Sequence, residues 1–141
     1  IAEHFPLAPG NALLTNMSTF SGNGSKLMFF HGVSDPWFSA KDTLRYFKQM
    51  EQANGGAEAV AQWSQLYMVP GMGHCGGGER TLDQFDMLSA VVDWVEQSKA
   101  PASVVATGAS MPGESRPLCP FPKVATYTQG DATQAGAYQC Q

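Results

Sequence analysis

Two short runs, Lys26-Leu-Met-Phe-Phe30 and Leu66-Tyr-Met-Val-Pro70, are apolar almost from end to end. A strand with no polar face must be covered on both sides, and that is the situation of strands in a parallel sheet rather than a half-solvated antiparallel one. Parallel neighbours also need a crossover connection, usually a helix. The interval between the runs carries one: Leu44, Phe47 and Met50 recur at helical spacing. Ser39 stands where an N-cap belongs, with Asp42 three residues on as in a capping box. Asn54-Gly55-Gly56 then ends the helix, and AEAVAQW (57–63) suits a short second one.

Beyond the second run lies a loop that is almost all glycine, Gly71-Met-Gly-His-Cys-Gly-Gly-Gly78. Thr81 or Asp83 is then expected to open a helix of about 15 residues, since Leu82, Phe85, Leu88, Val92 and Val95 mark one face. Lys99 and Pro101 close it. Ser103-Val-Val-Ala-Thr107 reads as an edge strand or a lone extended segment, and residues 1–25, which end in SGNGS, read mainly as loop. The alternation of strand and helix predicts an α/β fold of parallel strands with crossover helices. In such sheets ligands are met at the carboxyl ends of the strands. Both unusual loops, 31–39 and 71–78, fall at that edge.

Composition narrows the function classes. At 141 residues the chain is long enough for one core, and 43% apolar residues suit a globular domain. A net charge of −4 without a Lys/Arg cluster argues against nucleic-acid and anionic-membrane partners. No apolar run approaches the roughly 20 residues of a membrane span. The first ten residues lack the basic start and apolar centre of a signal peptide, and the chain begins at Ile1 rather than Met. The expectation is that a signal was removed or that this is a piece of something longer. Cysteine counting favours the second: Cys119 and Cys140 bracket a short tail and are expected to pair, which leaves Cys75 for a partner on another chain or as a free reactive thiol. The sequons at Asn16 and Asn23 carry little weight.

Asp35 follows the first buried strand and His74 the second. If the strands are neighbours, the two side chains leave the same sheet edge. A carboxylate on imidazole Nδ1 fixes the tautomer and stabilises the imidazolium formed in nucleophilic catalysis. This matches the acid and base of an α/β-hydrolase, whose chain order is nucleophile, acid, base. The bland readings are an Asp35-Pro36 turn, a surface His74, and a His31 that packs or makes a supporting hydrogen bond. His4 is uninformative. No G-x-S-x-G occurs; around Ser110 the second glycine is Pro112, and the position is after the His. Cys75 is badly placed to be a nucleophile, being the immediate neighbour of the base, and Ser34 has no elbow. A metal site on His74 and Cys75 lacks a second ligand pair at zinc spacing.

The stretches KLMFFHGVSDPWFS and LYMVPGMGHCGGG resemble the C-terminal part of the tannase and feruloyl esterase family, and so do VVDWVEQSKAPASVVAT and RPLCPFPKVATYTQGD followed by Cys140. The resemblance runs from Lys26 to Cys140 and implies the C-terminal part of an α/β-hydrolase fold, incomplete without an N-terminal portion. Family members hydrolyse esters of phenolic acids such as galloyl or feruloyl esters, and relatives act on terephthalate monoesters. By position, Asp35 matches the acid and His74 the base of a Ser-Asp-His triad. Cys75 matches the cysteine after the His, whose disulfide partner precedes the nucleophile, outside this chain. Cys119 and Cys140 match a structural disulfide.

The resemblance divides the chain into a loop-rich segment (1–25), a catalytic portion (26–107) and a disulfide-closed tail (108–141). The serine, much of the oxyanion hole and the lid are not in this sequence. No cofactor is expected here, because the family's structural calcium belongs to that lid. The expected partners are an N-terminal portion of the same enzyme and a small aromatic ester. The chain alone is expected to be inactive, and the compartment to be secretory or periplasmic. The alternative is a non-catalytic binding module or a structural fragment of the same fold.

Overall fold

The computed structural model describes residues 14–141. The two apolar runs form β1 (Leu27–Gly32) and β2 (Ser64–Val69). They pair in parallel, from Leu27 opposite Ser64 to Gly32 opposite Val69. Their side chains alternate between two cores, because successive residues of a strand point to opposite faces. Phe29, Leu66 and Met68 face a cluster that holds Phe47, Met50, Val60 and Trp63. Met28, Tyr67 and Val69 face another that holds Met72, Leu82, Val104, Ala106 and Leu118. β2 is therefore covered on both faces, while β1 is only half-buried, with Phe30 47% exposed, and so falls short of the full burial its apolar run predicted.

The first cluster is built by α2 (Ala40–Ala53) and α3 (Ala57–Val60). Ser39 caps α2, its side chain accepting the Lys41 N–H at 3.2 Å. Asp42 pairs with Arg45 at 2.9 Å instead of closing a capping box. The segment 1–25 lies partly outside the described residues, and His4 wholly so. Within it, Ser18–Gly22 forms a five-residue helix, α1, where loop was expected. Tertiary contacts make that turn: Asn54 Oδ1 accepts the Met17 N–H at 2.8 Å, and the Phe20 ring lies 5.9 Å from that of Trp63.

The second cluster departs further from expectation. The helix predicted from Thr81 or Asp83 starts at Met87 and runs to Gln97 as α4, capped by Asp86. Thr81 is buried with its hydroxyl donated to the Pro70 carbonyl at 3.0 Å, and Asp83 accepts the Gly77 N–H at 2.6 Å. Gln84–Phe85 forms a short strand, β3. It pairs antiparallel with β4 (Val104–Thr107), whose other edge takes β5 (Ser115–Leu118). The apolar run near 105 is thus the middle of an antiparallel sheet, not an edge.

The predicted inner face of α4 also points outward. Met87, Ala90 and Trp94 pack inward, while Leu88, Val92 and Val95 are exposed at 74%, 42% and 56%. A helix apolar on two faces is normally covered on both. The outer edge of β1 has no strand partner among the described residues.

The tail closes the opposite edge. Phe121 N–H donates to the Leu66 carbonyl at 2.7 Å, and Pro120 bridges to Tyr67. Cys119 and Cys140 are disulfide-bonded with Cα atoms 5.5 Å apart, beside the antiparallel pair β6 (Ala125–Tyr127) and β7 (Tyr138–Cys140). Among the described residues no helix is long and apolar enough to cross a membrane.

Leu66 is fully buried where β2 meets α2 and α3. Leu66→Ala should therefore lower the unfolding free energy by about 2–5 kcal/mol. Chemical denaturation followed by the fluorescence of Trp63, in the same cluster, measures it. A loss well below about 1 kcal/mol would mean that this face of the sheet is not packed as described.

Candidate active site

The in-register ends of β1 and β2 release two loops side by side. Val33 N–H donates to the Val69 carbonyl at 3.0 Å and Ser34 N–H to the Met72 carbonyl at 3.0 Å, so the loops stay laced beyond the strands. Gly32 is required by this approach, since a Cβ there would overlap the carbonyl oxygens of Met72 and Gly73. The second loop turns at Gly71, with φ +72°, and a Cβ there would strike the Arg80 carbonyl. Gly73 N–H to the Gly77 carbonyl (2.8 Å) and Gly77 N–H to Asp83 Oδ2 (2.6 Å) then fold it back on itself.

Asp35 and His74 meet across this lacing. His74 Nδ1 donates to Asp35 Oδ2 at 2.8 Å. Asp35 Oδ1 accepts the backbone N–H groups of Trp37 (2.8 Å) and Phe38 (3.1 Å). The Asp35 side chain is 2% exposed and that of His74 35%. Burial works against the carboxylate charge, but the His74 bond and the two backbone donors prevail, lowering the pKa from 3.8 to about 2. The carboxylate is ionised at neutral pH and accepts only, so the imidazole proton is on Nδ1 and Nε2 is left as a base.

The imidazole borders an open cleft of about 910 Å³ that Ser34, Trp37, Gly73, Cys75 and Arg80 also line. The rings of Trp37 and Phe38 lie 5.0 and 5.2 Å from it. Neither residue is marked by its spacing in the sequence. Their one sequence signal was a pair of large aromatics in a loop directly after the Asp-Pro turn.

The other candidates have separate places. The Cys75 thiol is free and exposed next to the imidazole. Ser110 is held by the Thr81 backbone: its hydroxyl donates to the Thr81 carbonyl at 2.9 Å and accepts the Thr81 N–H at 3.0 Å. Among the described residues no serine hydroxyl bonds to His74. Among the described residues no group of three or more His, Cys, Asp and Glu could hold a metal ion. An Asp–His pair beside a cleft, with an uncommitted Nε2, can take a proton from a nucleophile and return it to a leaving group.

Comparison with known proteins agrees with the resemblance. The family model described as Tannase and feruloyl esterase matches residues 9–141. A mono(2-hydroxyethyl) terephthalate hydrolase from Piscinibacter sakaiensis is 40% identical over 136 residues, covering 92% of this chain and 22% of the relative. A probable feruloyl esterase from Arthroderma benhamiae is 31% identical over 130 residues, 89% of this chain and 24% of the relative. The crystal structure of an esterase from Aspergillus oryzae shares the fold with a TM-score of 0.77 at 24% identity, over 92% of this chain and 30% of that one. The chain thus spans under a third of the length of each of these proteins.

A carboxyl whose folded pKa is lowered contributes stability that is complete above its ordinary value and is lost as pH falls through the folded one. For Asp35 that window runs from 3.8 down to about 2. Carbon-detected NMR titration should place its midpoint near the lower value. Asp35→Asn should remove this part of the acid-induced loss of stability. A midpoint at or above 3.8 would mean that the His74 and backbone bonds do not hold the charged form in solution.

Proposed function

This chain belongs to the tannase and feruloyl esterase family, and from that we infer that Asp35 and His74 are the acid and base of a Ser-Asp-His triad in a carboxylic ester hydrolase. The observation that carries the reading is the 2.8 Å bond from His74 Nδ1 to the buried Asp35 carboxylate at the shared end of two parallel strands. The relatives are named for feruloyl and terephthalate esters. The proposed substrate is accordingly an ester of an aromatic carboxylic acid, the phenolic acids above all.

In this mechanism His74 Nε2 takes the serine hydroxyl proton as the oxygen attacks the ester carbonyl. The same nitrogen then protonates the departing alcohol, and water repeats the cycle on the acyl-enzyme. Asp35 keeps the ring in the Nδ1–H tautomer and stabilises the imidazolium between the two steps. The chemistry uses side chains and water and asks no cofactor of this chain. The serine of this mechanism lies on an N-terminal portion of the same enzyme, and Ser110, held by the Thr81 backbone, is not a candidate for it. Residues 26–107 supply the acid and base, and 108–141 form a disulfide-closed tail. Cys75 bonds the cysteine before the serine, tying the His loop to the nucleophile, where a misplacement of about 1 Å can cost 10²-fold in rate. Two disulfides fit secretion or a periplasmic location.

In the full-length enzyme, Asp35→Asn should lower kcat on methyl ferulate or methyl gallate by up to about 10⁴-fold. A variant that keeps nearly full activity would remove Asp35 from the triad. The 141 residues alone should hydrolyse neither ester, and turnover by the purified chain would place the nucleophile within it.

The cysteine reading has its own test in the natively isolated protein, by intact mass with and without reductant. A Cys75 bridge to a separate N-terminal chain releases this chain of 15.1 kDa from a heavier partner. In an uncleaved enzyme, peptide mapping finds Cys75 bonded to a cysteine next to a serine. A free Cys75 thiol in both forms would overturn the staple.

A further inference from the structure

We propose that His31 is a positioning residue for the acid, holding the Asp35 loop in the shape that aims Oδ2 at His74; the proposal rests on the catalytic reading of that pair. His31 lies near the end of β1 with its side chain 13% exposed. Its Nε2 is 3.2 Å from the Phe38 carbonyl oxygen, and its Nδ1 is 2.8 Å from the Thr43 hydroxyl on α2. A carbonyl can only accept, so Nε2 carries the proton. In the Nε2–H tautomer that the Phe38 carbonyl requires, Nδ1 accepts the Thr43 O–H. Thr43 thus fixes the ring orientation in which Nε2 faces Phe38.

Phe38 is where this bond matters. Its own N–H is one of the two donors on Asp35 Oδ1, while its carbonyl is fixed by His31. The loop is therefore pinned from strand and helix together: α2 orients His31, His31 holds Phe38, and Phe38 with Trp37 occupies Oδ1. Oδ2 is left for His74. The same Nε2–H also leans toward Oδ2 at 3.5 Å, so two imidazoles face the oxygen that stabilises the imidazolium. Remove the His31 donor and the Phe38 carbonyl loses its partner. The Phe38–Ser39 peptide is then free to rotate, and Phe38, whose N–H anchors the acid from the preceding peptide, keeps one restraint instead of two.

The test uses the full-length enzyme and the variants His31→Ala, His31→Gln and Thr43→Val. His31→Ala should lower kcat by roughly 10- to 100-fold with KM little changed, the cost of a base misaligned by about 1 Å. Glutamine, whose amide N–H can reach the Phe38 carbonyl, should recover most of kcat. Thr43→Val, which loses only the hydrogen bond that orients the ring at Nδ1, should fall between the two. The far-downfield proton resonance of the Asp35–His74 bond should weaken or broaden in His31→Ala and persist in His31→Gln.

A rise in KM alone would place His31 against the substrate and overturn the proposal. Unchanged kcat and resonance in His31→Ala would do the same. If His31→Ala does not fold, the ordering wild type, His31→Gln, Thr43→Val decides, and its absence overturns the proposal. The resonance separates this idea from the reading beneath it. An Asp35→Asn variant that keeps its activity sinks the triad assignment, yet a resonance lost with the His31 donor still supports the positioning role.

Discussion

The site depends on the register in which β1 pairs with β2. Because Gly32 stands opposite Val69, both strands end at one level and hand their loops over together. A slip of one residue would carry Asp35 about 3.3 Å along the sheet, which no 2.8 Å hydrogen bond survives. If β1 made the slip, Phe29 would also turn out of the core it shares with Leu66 and towards the other. Packing on both faces therefore fixes a distance between residues 39 apart in sequence. Gly32 extends the constraint past the last ladder bond, since only a missing Cβ lets the loops touch.

What was legible in the sequence was what local chemistry decides. KLMFF and LYMVP could be buried in few other ways, and Ser39 with Asn54-Gly55 punctuates α2 at both ends. Where side chains are recruited from afar, periodicity misled. Leu82 and Phe85 continue the spacing of Leu88, Val92 and Val95, yet Thr81 and Asp83 are taken by Pro70 and Gly77, and the helix waits for Asp86. Spacing also finds an apolar stripe without saying what covers it. On α4 it found the outward one, while Trp94 turns inward on another face. α1 exists only because Asn54 and Trp63 were already in place to receive it.

The site divides in the same way. Asp35 and His74 could be paired by topology alone, since both follow apolar strands that pair in parallel. Counting cysteines was enough to couple Cys119 to Cys140. Trp37 and Phe38 were invisible because their position over the imidazole follows from the path of the Asp35 turn, a result of backbone donors rather than of spacing. The His31–Thr43 bond joins a strand end to a helix turn, and nothing in either segment announces the other.

The disulfide-closed tail gives the parallel pair two unlike edges. Pro120 and Phe121 occupy the β2 side, while β1 keeps its outer row of backbone groups unpaired among the described residues, next to the apolar stripe of α4. An exposed strand edge is a template for other strands. Among the described residues this pair therefore offers a further strand its β1 side alone. The tail is in this sense a chain terminator for the sheet.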